Sequence, residues 1–323
     1  MVPDEIVALA RKVRSNVEAK DISLLQGGFS SQAYKVTGSN QNFVLVVERP
    51  GSVSHSDYGR AYVALLLLQK HNYKFAPKPL WLKDDQQAMA MTYVEGAPAD
   101  KCDFSKIDTE QLAINIIDAL LSTATITQDQ YAEVAKQFNI SEIPVVTRKI
   151  GVQRYGVEWF EIVKKSCPDQ TITDWLQRRI QAAIDLTEEL EDDQPTFGHG
   201  DPSNPNIIIK PNGDFTFVDW GSARFHANNP EFFIAYTTRL TDFMSPYREV
   251  LVKHVAARLN VSEEVLASRV IKFRKFTEVF DVNWAAMMMA KIQAGEAEGD
   301  LEKFRAIANE RIKLYEQDFG VDD

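Results

Sequence analysis

The chain has 323 residues, of which 45% are hydrophobic and 25% are charged, and its formal net charge is −10. These proportions are typical of a soluble globular protein with a sizeable core, and the length fits one large domain or two lobes. No run of about 18 apolar residues is present, so the sequence predicts no membrane span. The negative charge disfavours nucleic-acid binding, because phosphates need cationic side chains, and it is compatible with a small cationic substrate.

The two cysteines, Cys102 and Cys167, are not arranged as a C-x-x-C pair, which favours two free thiols in a reducing compartment. The N-terminal segment lacks the basic start and the apolar run of a signal peptide. We therefore predict a cytoplasmic protein that binds neither membranes nor nucleic acid.

The first third of the chain is patterned as strands with one helix. A short β-rich segment precedes Gly27-Gly28, and the runs 33–37 and 43–47 flank turn-forming residues, which predicts a hairpin. Residues 58–72 are rich in Ala and Leu and have no Gly or Pro after Gly59, which predicts a helix. Two more strands are predicted at 80–82 and 88–94, before a linker at 95–98.

The rest of the chain is patterned mainly as amphipathic helices, at 109–123, 171–191, 248–259 and 301–319. Ser262, followed by two glutamates, predicts an N-cap that begins another helix. The exception is the segment 197–224, which combines short apolar runs with loop residues.

The most informative stretch is FGHGDPSNPNIIIKPNGDFTFVDWGSARF, residues 197–225. Asp201 lies in a proline-containing loop, Asn206 precedes an apolar run, and a turn leads to a second run that ends at Asp219. This pattern predicts a hairpin that brings Asn206 and Asp219 to one end, close to the loop of Asp201. Two carboxylates and an amide oxygen suit Mg²⁺. Phosphoryl transfer needs such groups, with one carboxylate for the substrate hydroxyl and an Asn and an Asp for the metal.

His199-Gly200-Asp201, Asn206 and Val218-Asp219-Trp220 resemble the H-G-D-x-x-x-x-N and I-D-W motifs of the aminoglycoside phosphotransferase and choline kinase group. Protein kinases use the same Asp-to-Asn spacing. The resemblance implies an α+β, two-lobed, protein-kinase-like fold. It implies a small antiparallel-sheet N-lobe at residues 1–95, which binds nucleotide, and a mostly helical C-lobe at 96–323, which carries the catalytic loop and the substrate site.

The segment 26–36 looks like the nucleotide loop of this group, in which glycine and serine let backbone N–H groups approach phosphates. The segment 89–96 looks like the strand and hinge that pair with adenine through their backbone. The residues that the resemblance implies for nucleotide binding are Gly27, Gly28, Ser30, Ser31, Thr92 and Val94.

By the same resemblance, Asp201 would position or deprotonate the substrate hydroxyl, and Asn206 and Asp219 would hold Mg²⁺. The implied cofactors are ATP and Mg²⁺, and the implied substrate is a small hydroxylated molecule. Aminoglycosides, choline, homoserine and sugars are all substrates in the group, and the sequence does not select among them. We interpret His199 as structural rather than as a proton carrier.

The sequence departs from the group's pattern at the nucleotide site. A lysine on the third strand normally contacts the phosphates and pairs with an acidic residue on the next helix. Val46 stands at the lysine position, and no Asp or Glu occurs from 58 to 83. The joint loss is physically coherent, because an unpaired buried charge is strongly destabilising. Lys35 and Arg49 are candidate substitutes, and the alternation of strand faces favours Lys35.

A further departure lies in the segment 229–235, where the group usually has an aspartate near Phe233. Two functions therefore stay open. The intact Asp201, Asn206 and Asp219 favour an ATP- and Mg²⁺-dependent phosphotransferase. Val46 and the helix without acids favour a degenerate member of the group, which binds nucleotide or a partner with little or no transfer.

Overall fold

The structure is a computed structural model that describes residues 2–25, 31–48, 58–140, 144–190, 194–227 and 229–320, apart from the side chain of Thr187. The strands are β1 (Ile22–Leu24), β2 (Ser31–Val36), β3 (Phe43–Glu48), β4 (Pro79–Leu82), β5 (Ala88–Thr92), β6 (Ala97–Pro98), β7 (Val145–Val146), β8 (Thr196–Gly198), β9 (Ile207–Ile209), β10 (Phe215–Phe217) and β11 (Arg224–His226). The helices are α1 (Asp4–Val13), α2 (Tyr58–Lys70), α3 (Thr109–Ser122), α4 (Gln128–Lys136), α5 (Arg148–Gly151), α6 (Trp159–Ser166), α7 (Gln170–Glu188), α8 (Asn229–Leu240), α9 (Arg248–Leu259), α10 (Glu263–Gln293) and α11 (Leu301–Phe319).

The chain divides into two compact units, Met1–Pro144 with Thr196–Arg224 and Val145–Pro195 with Phe225–Asp323. The first unit contains a five-stranded antiparallel sheet in the order β1-β2-β3-β5-β4. Strands β2 and β3 form the predicted hairpin, in which Ala33 is paired with Val46. The predicted lobe boundary at residue 95 stays a prediction.

One face of this sheet packs against α1. Phe43, Leu45 and Val47 of β3 form a buried cluster with Ile6 and Ala10 of α1. These β3 residues alternate along the strand, as expected when one face of a sheet is covered by a helix. The other residues of β3 must therefore point to the opposite face.

The opposite face carries Val46, which stands at the position expected for the phosphate-contacting lysine. Val46 lies there between Ala33 of β2 and Met89 of β5, and it is buried. Lys35 is paired with Val44, two positions further along the same pair of strands. Because residues two apart on a strand share a face, Lys35 and Val46 lie on the same side of the sheet.

The first unit also contains the predicted hairpin of β9 and β10, with β6 paired to the other side of β9. The N–H of Phe217 donates a hydrogen bond to the carbonyl oxygen of Phe75 at 2.8 Å. The Phe75 ring also stacks on Phe215, with ring centres 4.7 Å apart. The segment between α2 and β4 therefore supports the hairpin that leads to Asp219.

The second unit is built around α10, which packs against α6, α7, α8 and α11. Its core contains Trp175, Phe280 and Met289. Ser262 caps α10 as predicted, because its side chain accepts a hydrogen bond from the N–H of Val265. A π-helix, Val152–Glu158, joins α5 to α6.

These elements confirm the α+β prediction of an antiparallel sheet in the N-terminal part and a mostly helical remainder. Cys102 and Cys167 are both free thiols. In the part of the chain that the structure describes, no helix has the length and apolar character needed to cross a membrane.

Candidate active site

The loop after β8 carries Asp201 and is held by a close approach of two backbone segments. Gly200 has φ +79°, and a Cβ atom placed on it would overlap the carbonyl oxygen of Ser222. Glycine is therefore required at this position, both for its left-handed backbone and for its lack of a side chain. Arg224 adds a hydrogen bond from Nη2 to the carbonyl oxygen of Gly200 at 3.2 Å.

Asn206 orients the carboxylate of Asp201. Its Nδ2 lies 3.0 Å from both Oδ2 and the carbonyl oxygen of Asp201, and 3.3 Å from Oγ of Ser203. Its backbone is fixed too, because its carbonyl oxygen accepts a 2.9 Å hydrogen bond from the N–H of Val218. Since three acceptors surround the amide nitrogen, the amide oxygen Oδ1 is directed away from them and can accept a further partner.

His199 links the two parts of the site. It is fully buried, its Nε2 lies 2.8 Å from the carbonyl oxygen of Val218, and its Nδ1 accepts a 3.3 Å hydrogen bond from the N–H of Asp201. Since an amide can only donate, Nδ1 is the unprotonated nitrogen and Nε2 carries the proton. Burial lowers the pKa of His199 to about 4, so the ring is neutral at neutral pH. This geometry supports its interpretation as a structural residue.

Asp219 has a left-handed backbone, with φ 59° and ψ 60°, a conformation that few residues other than glycine adopt. Its side chain is accessible to solvent, although protein atoms crowd around it. Desolvation by these atoms raises its pKa to about 6, and the charge of Asp201 adds to the rise, while a hydrogen bond from the N–H of Gly221 opposes it. Within the described residues, no cationic side chain forms an ion pair with Asp219.

The structure places Asn206 against Asp201 and close to the strand end that leads to Asp219, and the roles of the three residues in catalysis and metal binding stay a prediction. Asn206 contacts Asp201 directly, and its backbone is bonded to the residue before Asp219. The described residues contain no cluster of three or more His, Cys, Asp or Glu side chains that could hold a metal. Two carboxylates and one amide oxygen still fit Mg²⁺, which keeps several waters and binds through one or two carboxylates and substrate phosphates.

The predicted hinge lies at the end of β5. The N–H of Thr92 donates to the carbonyl oxygen of Lys78 at 2.9 Å, and the N–H of Tyr93 donates to that of Asn42 at 3.1 Å. The N–H of Val94 has no acceptor among the residues that the structure describes. Of these amides, that of Val94 is the one that can donate to a base.

The phosphate end of the predicted nucleotide site is described only in part. Gly27, Gly28 and Ser30 lie outside the described residues, as does Arg49. Ser31 is the first residue of β2 and is paired with Glu48 of β3. The predicted phosphate loop stays a prediction.

Lys35 forms a cation–π contact with Tyr93. The sequence pattern did not indicate a role for the Tyr93 side chain. The Nζ atom of Lys35 lies 4.0 Å from the centre of the Tyr93 ring. The strand register could have indicated this residue, since Tyr93 continues the alternation of Met89 and Met91 on the face that carries Lys35.

Comparison with known proteins adds a family and a fold. A family model described as the phosphotransferase enzyme family matches residues 21–227. No curated protein matches the chain.

Solved structures match over nearly the whole chain. The GDP complex of aminoglycoside 2'-phosphotransferase-IIIa has 16% identity, a TM-score of 0.64 and coverage of 98% of both chains. The choline kinase LicA from Streptococcus pneumoniae has 15% identity and a TM-score of 0.63, covering 98% of this chain and 100% of LicA. The streptomycin–ATP ternary complex of APH(2")-IIa has 15% identity, a TM-score of 0.65 and coverage of 97% of both chains. These matches confirm the two-lobed, kinase-like fold class and the resemblance carried by residues 199–220.

Proposed function

Because the chain belongs to the phosphotransferase enzyme family, we propose that it transfers the terminal phosphoryl group of ATP, with Mg²⁺, to a hydroxyl group of a small molecule. The observation that carries this proposal is the hydrogen bond between Nδ2 of Asn206 and Oδ2 of Asp201, 3.0 Å long, at the end of the hairpin that also carries Asp219. Phosphoryl transfer depends mainly on positioning and on charge stabilisation, and this arrangement can supply both.

In this proposal, Asp201 orients the substrate hydroxyl and accepts its proton. Asn206 holds the carboxylate in one orientation, and His199 holds the backbone N–H of Asp201. A carboxylate fixed in this way loses little freedom when the substrate binds, which favours a reactive geometry.

The metal would be held by Oδ1 of Asn206 and by the carboxylate of Asp219. Asp219 suits this role because it is exposed and has no cationic partner within the described residues, and because its pKa of about 6 leaves it mostly ionised at neutral pH. When bound, Mg²⁺ would neutralise charge on the transferred phosphate.

The nucleotide base would be held at the hinge by the amide of Val94, since the amides of Thr92 and Tyr93 already donate within the protein. The hydroxylated acceptor is a small molecule in this proposal. Two of the similar structures bear the names of an aminoglycoside phosphotransferase and a choline kinase, so both substrate classes belong in a screen. A cationic acceptor fits the net charge of −10.

A second candidate function is nucleotide binding with little or no transfer. Val46 favours it, because a buried valine with apolar neighbours occupies the position expected for the phosphate-binding lysine. Helix α2 also offers no carboxylate.

The two functions are separated by measuring nucleotide binding and ATP consumption on the same samples. We expect ATP to bind only with Mg²⁺ and to be consumed with one acceptor from a panel of aminoglycosides, choline, homoserine and sugars. Asp201→Asn should lower turnover by at least about a hundredfold while it leaves Mg²⁺–ATP binding nearly unchanged. Asp214→Asn is the matched control, because Asp214 is exposed in the turn of the same hairpin.

Binding without consumption of ATP by any acceptor would favour the second function. Failure of the unaltered protein to bind any nucleotide in the presence of Mg²⁺ would overturn both.

A further inference from the structure

The contact between Lys35 and Tyr93 leaves an ammonium group without an anionic partner. Lys35 is half-buried, and its Nζ lies over the Tyr93 ring at 4.0 Å from the ring centre. No Asp or Glu in the described part of the chain lies within ion-pair distance of it. A half-buried ammonium held on an aromatic ring has part of its hydration replaced by a weaker interaction. A hydrogen-bond acceptor on a ligand would therefore stabilise this ammonium group.

The strand register places this ammonium at the hinge end of the predicted nucleotide site. Lys35 is paired with Val44, and Val44 is paired with Met91 of β5. Tyr93 follows Met91 by two residues and so lies on the same face. The hydrogen bond from its N–H to the carbonyl oxygen of Asn42 continues the strand pairing beyond β5. Lys35 and Tyr93 therefore share the face opposite α1, next to the residue that carries the unpaired amide, Val94.

The groups at this end of the site are hydrogen-bond donors. An ammonium group has three N–H donors and no acceptor, and the amide of Val94 adds a fourth N–H. The carbonyl O6 of guanine or hypoxanthine can accept two hydrogen bonds. Adenine carries an amine at the same position, which donates and cannot accept from an ammonium.

From this chemistry we infer that Lys35 favours 6-oxopurine nucleotides over adenine nucleotides, so that GTP is a better phosphoryl donor than ATP. The inference rests on the proposed function, because it places the base at the hinge. It adds a preferred base to the proposed transfer from a nucleoside triphosphate and leaves the roles of Asp201, Asn206 and Asp219 as proposed.

The test compares calorimetric titrations with GDP, IDP and ADP, each with Mg²⁺. IDP shares O6 with GDP and lacks its 2-amino group, so it isolates the predicted contact. We expect GDP and IDP to bind at least about ten times more tightly than ADP, the discrimination typical of one good contact to a base. Lys35→Met should weaken GDP and IDP binding about tenfold and leave ADP binding unchanged.

Lys35→Gln gives an opposite-direction test. A glutamine amide has an oxygen that accepts from the adenine amine, so this variant should shift the GDP-to-ADP ratio of affinities towards ADP. Lys12→Gln is the matched control, because Lys12 is an exposed lysine on α1, which covers the other face of the sheet. It should keep the ratio of the unaltered protein.

The outcomes separate the two proposals. Equal binding of GDP, IDP and ADP, or equal weakening of all three in Lys35→Met, overturns the selection by Lys35 and leaves the phosphotransferase function standing. Tight binding of GDP but not of IDP points to the 2-amino group and also overturns it. If none of the three nucleotides binds to the unaltered protein, the proposed function fails together with the inference.

Discussion

His199 and Val218 are joined by a 2.8 Å hydrogen bond between Nε2 and the carbonyl oxygen of the residue that precedes Asp219. The other ring nitrogen accepts the N–H of Asp201. One neutral, fully buried imidazole therefore sets the distance between the loop of Asp201 and the strand end that leads to Asp219. It also packs against the Trp220 ring, with ring centres 4.5 Å apart. The candidate catalytic and metal-binding carboxylates are positioned by a shared side chain that need not carry a proton in the reaction.

The burial of His199 makes the stability of the fold depend on pH. Its pKa falls from 6.5 in the unfolded chain to about 4 in the fold. Above pH 6.5 the ring is neutral in both states. Between 6.5 and 4 the unfolded chain binds a proton that the fold excludes, so acidification favours unfolding. From these pKa values we expect a loss of about 2 kcal/mol between pH 7.5 and 5.0 from this group.

The measurement is urea unfolding of the unaltered protein and of His199→Gln at both pH values. The raised pKa of Asp219 acts in the opposite direction over an overlapping pH range, but it is present in both proteins and largely cancels in the comparison. The stability advantage of the unaltered protein over His199→Gln should therefore shrink as pH falls. An advantage that stays constant from pH 7.5 to 5.0 would show that His199 is not kept neutral by burial.

Gly200 and Gly213 provide a matched pair for the close backbone approach beside Asp201. Both have positive φ, +79° and +84°, but a Cβ on Gly200 would overlap the Ser222 carbonyl, whereas a Cβ on Gly213 would meet only Ile107 at 3.7 Å. Gly213→Ala should cost about 1–2 kcal/mol from its left-handed backbone alone. Gly200→Ala should cost at least about 2 kcal/mol more, because the loop must move. Equal melting temperatures of the two variants would contradict the close approach.

Asn206 should couple metal affinity to turnover. Asn206→Ala removes the amide oxygen proposed for Mg²⁺ and the Nδ2 group that orients Asp201. We expect the Mg²⁺ concentration for half-maximal activity to rise at least about tenfold, as for other residues that support metal sites, together with a fall in turnover. Asn212→Ala is the control, since Asn212 is exposed in the hairpin turn. A variant with reduced turnover and an unchanged Mg²⁺ requirement would leave Asn206 an orienting residue only.

Local sequence patterns predicted the elements whose partners are close in the chain. Ser262 was identified as a cap because its acceptor and donor lie three residues apart, and the helices at 248–259 and 301–319 begin and end at the predicted residues. The candidate site was predictable for the same reason, because one hairpin joins Asn206 to Asp219.

Features that depend on distant partners were not predictable. The π-helix Val152–Glu158 is supported by Asn283, whose Nδ2 donates to the carbonyl oxygens of Tyr155 and Gly156 at 2.7 and 3.1 Å. The residue pattern around the π-helix does not indicate Asn283, and the pattern around Asn283 does not indicate the π-helix. Likewise, the Tyr93 N–H cannot donate to a nucleotide base because it already donates to the carbonyl oxygen of Asn42, which is far away in the sequence. Register and long-range hydrogen bonds therefore decide which of several adjacent backbone groups can bind a ligand.

We expect that tight binding of a nucleoside triphosphate requires both a lysine at position 46 and a carboxylate on α2. Val46→Lys alone places an ammonium among apolar neighbours with no carboxylate on α2, so it should lose its proton or destabilise the sheet. Ala61 is chosen for the carboxylate because it is a buried position of α2 with a small side chain. Its neighbour Tyr62 is unsuitable, because its ring packs edge-on against Phe138 at 5.3 Å.

We expect Val46→Lys to lower the melting temperature without tightening the binding of a nucleoside triphosphate. Val46→Lys combined with Ala61→Glu should recover stability and bind the triphosphate about ten to a hundred times more tightly than the unaltered protein, since a charge-assisted hydrogen bond contributes about 1.5–3 kcal/mol. Val46→Met controls for side-chain length without charge, and binding of the free nucleoside controls for the base, because neither should respond to a phosphate contact. A gain in triphosphate affinity from Val46→Lys alone would mean that another group already orients the ammonium, and the helix carboxylate would then be unnecessary.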